Sequence, residues 1–201
     1  REPRIFIRMA AAEHFDFVSE EDYLASELES EVKREYFAGM LFERAESTNR
    51  HCRITVSCLG HIGQQLPGKP SELFDSNTKV RVPIPESTRF YYPDVMIVSE
   101  SNPDDDTYQE KPQVVFEVVS PTTRLVDAAE KYEAYLSLSS LDVYVMIDQD
   151  APVAVIYRRN ASGDFDRELL KGIDQVIELP TVEVNLPLAE AYEQVEYSET
   201  A

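Results

Sequence analysis

Tyr91-Tyr92-Pro93-Asp94-Val95-Met96-Ile97-Val98 and Val114-Val115-Phe116-Glu117-Val118-Val119 are the two stretches whose reading decides the fold. Both are short apolar runs rich in β-branched residues, the composition of strands covered on both faces. Each carries one carboxylate, and an acid among such residues is costly unless something binds it. In the second run alternation places Val115, Glu117 and Val119 on one face and Val114, Phe116 and Val118 on the other. Two carboxylates at the edge of a buried sheet, with Lys131 on the helix that follows, are what metal-assisted phosphodiester hydrolysis requires. A divalent cation cancels the carboxylate charge and activates water, while a lysine stabilises charge developing on the phosphate.

Outward from these strands the pattern predicts a mixed α/β domain. Downstream, Thr122 or Thr123 caps a helix from Arg124 to about Leu138, with Leu125, Ala129, Tyr132 and Leu136 on one face. Strands are expected over 142–147, 152–159 and 165–171, then a short one near 182–184 and a last helix around 188–194. Upstream, Ser19-Glu20-Glu21-Asp22 opens a short helix to about Leu28, with acids in its first turn. Residues 32–44 read as a β-hairpin turning at Ala38-Gly39. Ser47-Thr48-Asn49 caps a helix to about Leu66, its apolar positions Ile54, Cys58, Leu59, Ile62 and Leu66 at helical spacing. One strand is expected over 73–83, and the acidic stretch 100–110 reads as a solvated loop. Residues 1–15 form an expected N-terminal arm, and 16–201 one domain with no internal repeat.

At 201 residues and 43% hydrophobic content the chain can bury a sizeable core. No apolar run approaches the roughly 18 residues needed to cross a membrane. Arg1 to Arg8 holds neither a long apolar core nor a small-residue cleavage site, so no secretory signal is expected. Cys52 and Cys58 point about 120° apart on one helix and cannot pair within it. They read as reduced thiols, which fits a cytoplasmic protein. The net charge of −19, from 38 acids and 19 bases, runs against a general nucleic-acid binder, whose affinity comes from Lys and Arg on phosphates. A local basic patch can nonetheless survive on an acidic protein.

Glu35-Tyr36-Phe37-Ala38-Gly39, Tyr91-Tyr92-Pro93-Asp94-Val95, Phe116-Glu117-Val118-Val119-Ser120-Pro121 and Lys131 with Tyr135 together resemble the Uma2-type endonucleases. That family is grouped with the PD-(D/E)xK restriction-endonuclease-like superfamily, and the resemblance spans about residues 16–193. It implies a central mixed β-sheet flanked by helices and a Mg²⁺-dependent site hydrolysing DNA phosphodiester bonds, with Mn²⁺ as a substitute cation. Carried onto this chain, Asp94 and Glu117 are the expected metal ligands, and Glu35 the acid contributed by the early hairpin. In the superfamily's Glu-x-Lys strand the lysine would stand at position 119. Here that residue is Val119, so the resemblance assigns the role to Lys131 on the next helix. Two-fold dimers, common in the superfamily, make a homodimer the expected state. Two departures concern substrate contacts: Ser76-Asn77 stands where Ser-Asp is expected, and Glu46-Ser47-Thr48-Asn49-Arg50 replaces a glycine-rich turn.

Each residue also has a structural reading. Asp94 can cap a strand entrance, Glu117 can form a buried ion pair with Lys131, and Glu35 can be a hairpin surface acid. Lys131 stands four residues after Asp127, the spacing of a surface pair. His51 and His61 share a helix with the cysteines at scattered angles, with no Cys-x-x-Cys pair for zinc, though His51 is close enough to the helix start to approach the cleft. A non-catalytic module binding nucleic acid or protein on the same fold therefore stays open beside the nuclease.

Overall fold

A computed structural model describes residues 17–85, 87–120 and 127–197, with the side chains of 127–129 left aside. The expected arm 1–15 lies outside the described residues. In chain order the elements begin with α1 (Glu20–Glu27), β1 (Arg34–Phe37), β2 (Met40–Glu43), α2 (Asn49–Gly63), β3 (Glu72–Asp75), β4 (Lys79–Ile84) and β5 (Ser87–Tyr91). There follow β6 (Val95–Val98), β7 (Tyr108–Gln109), β8 (Pro112–Val119), α3 (Asp127–Leu136), β9 (Val143–Asp148), β10 (Val153–Arg159) and β11 (Phe165–Lys171). The described chain closes with β12 (Val176–Leu179), a 3-10 turn at Pro180–Val182, β13 (Val184–Pro187) and α4 (Leu188–Ala191).

The central sheet has six strands in the order β11-β10-β9-β8-β6-β3. It is mixed because β8 and β9 run parallel, Val114 opposite Val143, while β6 and β8 run antiparallel. A parallel pair needs a crossover, and α3 lies within it. Alternation along β8 sorts the core. Val114, Phe116 and Val118 join Ile54, Cys58 and Ile62 of α2 and the β12-β13 ribbon, whereas Val115 joins Ala134, Tyr135 and Leu138. Ile54 and Ile62 are fully buried, each worth about 1.5–3 kcal/mol of burial. A five-stranded sheet, β2-β1-β5-β4-β7, packs Tyr36 and Phe90 on Tyr23 of α1. The expected α/β architecture is thus the observed one.

Three expectations are corrected. Residues 73–83 are not one strand: β3 pairs with β6 in the central sheet and β4 with β5 in the other. The break is made by Asp75, whose carboxylate accepts from Asn77 N at 2.9 Å while its carbonyl accepts from Thr78 N at 3.1 Å. Such an Asx turn offers the backbone an alternative to the ladder. Second, the acidic stretch ends in a two-residue strand, β7, parallel to β4. Third, the described buried face of α3 carries Ala134 and Tyr135, with Leu138 just beyond its end. Tyr132 and Leu136 are only partly buried. Leu125 and the Ala129 side chain lie outside what is described.

Candidate active site

Asp94 stands at the entrance of β6, and its backbone N–H donates to Phe116 O at 3.1 Å. Its Oδ2 accepts the Val118 N–H at 2.7 Å. These two bonds straddle Glu117, so the paired strands set the two acids side by side. The turn into the strand is made at Pro93, whose fixed φ suits a strand entrance. Asp94 is 1% exposed and Glu117 7% exposed, which makes both charges expensive unless matched.

The match for Asp94 comes from two directions. Arg44, one residue beyond β2, places Nη2 2.6 Å from Oδ1. His51, in the first turn of α2, places Nε2 3.0 Å from Oδ2. The N-cap aims that imidazole: Thr48 Oγ1 accepts the His51 N–H at 3.2 Å and starts the helix there. Burial pushes the Asp94 carboxyl up, but the His51 bond and charge, then Arg44 and the Val118 N–H, outweigh it and hold Asp94 below the usual carboxylate range.

Glu117 is held differently. Its Oε1 accepts the Tyr135 hydroxyl at 2.9 Å, and Lys131 Nζ lies 3.8 Å from the same oxygen. Lys131 donates to Glu35 Oε1 at 2.6 Å and sits 5.5 Å from the centre of the Tyr91 ring. The lysine side chain is 15% exposed, so the helix turns it inward and not to solvent. Lys131 and Tyr135 are one turn apart on α3 and reach Glu117 together. Burial raises the Glu117 carboxyl to about 7; Lys131 opposes this, and the neighbouring Asp94 charge adds to it. For Lys131, burial favours the neutral amine, but Glu117 and Glu35 win and push its pKa up. Arg44 is raised in the same way by Asp94, Glu117 and Glu35 against its burial.

The structure therefore brings all four sequence-selected residues, Glu35, Asp94, Glu117 and Lys131, into one cluster. Two members were not selected from the sequence as site residues. His51 had one signal, its place at the start of a capped helix. Arg44 had none, because the end of a hairpin strand gives no hint of what lies across it. Cys52 and Cys58 are both free, the first exposed and the second buried. His61 lies away from the cluster, near Glu190 at 3.7 Å.

The donor set favours a hard cation. Carboxylate oxygens suit Mg²⁺ or Mn²⁺, and Mg²⁺ is commonly held by only one or two carboxylates together with water and substrate phosphate. Among the described residues no group of three or more His, Cys, Asp or Glu side chains is placed to hold a metal ion. Glu117 is raised to about 7 chiefly by its burial, and the Asp94 and Glu35 charges add to that. Both Asp94 oxygens are already engaged by the protein, Oδ1 by Arg44 and Oδ2 by His51 and the Val118 N–H.

The chain is similar to known proteins over most of its length. The model of the Uma2 family, described as putative restriction endonuclease, matches residues 20–190. An uncharacterized protein of Synechocystis is 28% identical over 131 residues, 64% of this chain and 73% of its own length. A second uncharacterized Synechocystis protein is 26% identical over 152 residues, 75% of this chain and 79% of its own. A crystal structure described as a putative nuclease belonging to DUF820, from Anabaena variabilis, aligns with TM-score 0.65 and 15% identity, covering 85% of this chain and 97% of that one. At that identity the likeness speaks for the fold.

Proposed function

The chain belongs to the Uma2 family, and we propose that it is a divalent-metal-dependent nuclease hydrolysing DNA phosphodiester bonds. One observation carries the reading: two buried, adjacent carboxylates on paired strands stand beside an inward-turned lysine. Asp94 and Glu117 would hold Mg²⁺ or Mn²⁺, which when bound supplies Lewis acidity and lowers the pKa of water.

The chain's own groups do the rest. Lys131 stabilises the negative charge that develops on the phosphate as the bond to the leaving oxygen breaks. Glu35, 2.6 Å from Nζ, keeps that ammonium charged and in place. Tyr135 fixes the Glu117 carboxylate by donating to Oε1, leaving Oε2 for other work. His51 and the Val118 N–H orient Asp94. The walls of Tyr91, Tyr144 and Tyr135 exclude water from the lysine side and strengthen these fields.

The test is metal-dependent nicking of supercoiled plasmid by wild type, Asp94→Ala and Lys131→Ala. The expected result is a loss of about 10²–10³-fold in either variant. Equal rates in all three proteins would overturn the assignment. A second reading, a non-catalytic module on the same fold, is favoured by the double occupation of Asp94 by Arg44 and His51. Calorimetry with Mn²⁺ separates the two: no binding at millimolar metal supports the module.

A further inference from the structure

Beside the acidic cluster lies a cationic one. Arg44 N donates to Lys33 O at 2.8 Å, extending the β1-β2 ladder by one step and placing the two cations directly opposite each other. Like charges in that position repel. Lys33 Nζ is tied only to neutral acceptors, Ser76 O and Asn77 Oδ1, both at 2.8 Å. Asn77 Nδ2 in turn donates to Asp75 Oδ2 at 2.7 Å, so that acid is linked to Lys33 through a neutral amide and not as an ion pair.

Lys79 opens β4 and is 4% exposed, yet its ammonium has no hydrogen-bond or ion-pair partner among the described residues. The carboxylate that acts on it is Glu27, already engaged by Arg34 and Tyr92. Both lysines converge on one ring: Lys33 Nζ is 5.6 Å and Lys79 Nζ 5.3 Å from the centroid of Tyr92. Burial weakens the charged form of each and Arg44 adds to the effect at Lys33, while Asp75 and Asp94 oppose it there and Glu27 opposes it at Lys79. Yet among the described residues neither ammonium is in an ion pair. In a chain with 38 acids and 19 bases, two such lysines at one ring are a place an anion can occupy. Tyr92 leads through Pro93 into Asp94, so the place adjoins the proposed scissile position.

We propose that Lys33 and Lys79, set around the Tyr92 ring, seat a DNA backbone phosphate neighbouring the one that is cleaved. The seat rests on the nuclease reading for its substrate. It also supplies what the net charge of −19 seemed to deny, a local handle on a polyanion. Phosphate contacts of this kind position the duplex without reading its sequence.

The experiment follows the fluorescence anisotropy of a labelled short duplex in EDTA, between about 50 and 200 mM salt, for wild type, Lys33→Gln, Lys79→Gln and the double variant. Thermal melts check that each is folded; Lys33 is partly exposed, so its variant stands alone if Lys79→Gln does not fold. The expected result is roughly 3–10-fold weaker binding per lysine, with the slope of log K against log salt flatter by about 0.9 each. The loss should be the same for unrelated duplex sequences. Folded variants with wild-type affinity and slope overturn the seat, even where wild type cleaves plasmid and the nuclease reading stands. Weakened variants of a protein that never cleaves keep the seat and remove the nuclease. A wild type that binds no duplex overturns the seat outright.

Discussion

Asp94 and Glu117 stand side by side on paired strands, equally buried, and carry their charges in opposite ways. Asp94 receives a guanidinium, an imidazole and a backbone N–H, and its carboxyl is held low. Glu117 receives one hydroxyl and shares Lys131 with Glu35, and its carboxyl is raised to about 7. Burial is common to both, so the difference comes from partners. One half of the site is compensated by the protein, and the other is less so. On the proposed reading, that asymmetry lets the fold stand before a metal binds.

The largest expected effect breaks the compensated half. Asp94→Ala takes from Arg44 and His51 the carboxylate that both touch, leaving Arg44 only the Glu117 and Glu35 charges, and removing one partner of a buried pair typically costs about 3–5 kcal/mol. Arg44 keeps some contact with solvent, so a loss of about 3 kcal/mol in urea unfolding is expected. The pH dependence has a definite sign. A depressed carboxyl contributes stability that is present above its unfolded pKa, roughly 3.9, and is lost as pH falls through the folded value. The gap between wild type and Asp94→Ala should therefore be full at neutral pH and close in acid.

Glu117 should behave the other way. Its folded pKa is raised to about 7 from 4.5, so the folded state favours the proton. Wild-type stability then falls as pH climbs through that window. Glu117→Gln keeps an acceptor for Tyr135, removes the buried charge and gives up the attraction of Lys131. The net expectation is a gain of about 1–2 kcal/mol at pH 8, shrinking to nothing at the acid end of the window, followed by paired thermal melts. A variant less stable than wild type at pH 8 would mean that Lys131 compensates Glu117 as fully as Arg44 compensates Asp94. The two acids would then not differ.

The sequence made one side of this contrast legible. A carboxylate in the middle of Val114-Val115-Phe116-Glu117-Val118-Val119 announces itself, because nothing in a buried strand excuses it. Helical spacing puts Lys131 and Tyr135 on one face of α3, and the covered strand beneath draws that face inward. The expected apolar face is incomplete: Tyr132 and Leu136 pack against the core, but Ala134 and Tyr135 are the more deeply buried, and hydrophobic residues are not the whole of the buried side. A lysine and a tyrosine with partners in the core define it as well. The compensation of Asp94 was hidden for another reason. Arg44 and Asp94 are fifty residues apart, and no local periodicity relates a hairpin end to a strand entrance in another sheet. The division of residues 73–83 was readable in principle, since Asp75-Ser76-Asn77-Thr78 is a turn composition set between two strand patterns. Alternation alone runs straight across it.

The smallest expected effect isolates the residue that separates the two acids. Arg44→Ala takes the guanidinium from Oδ1 while leaving His51 and the Val118 N–H on Oδ2. Asp94 would then resemble Glu117: buried, partly bonded and short of positive charge. If Arg44 occupies a position that a divalent cation must share, its removal frees an oxygen and deletes a repelling charge, and Mn²⁺ should bind about 3–10-fold more tightly by calorimetry. That is close to 1 kcal/mol, modest because the cation must still be desolvated and His51 still competes. Weaker binding would carry the opposite meaning: Arg44 would be orienting Asp94 for the metal and not standing in for it. The compensated half of the site would then be compensated in the metal-loaded protein too, with the cation resting mainly on Glu117.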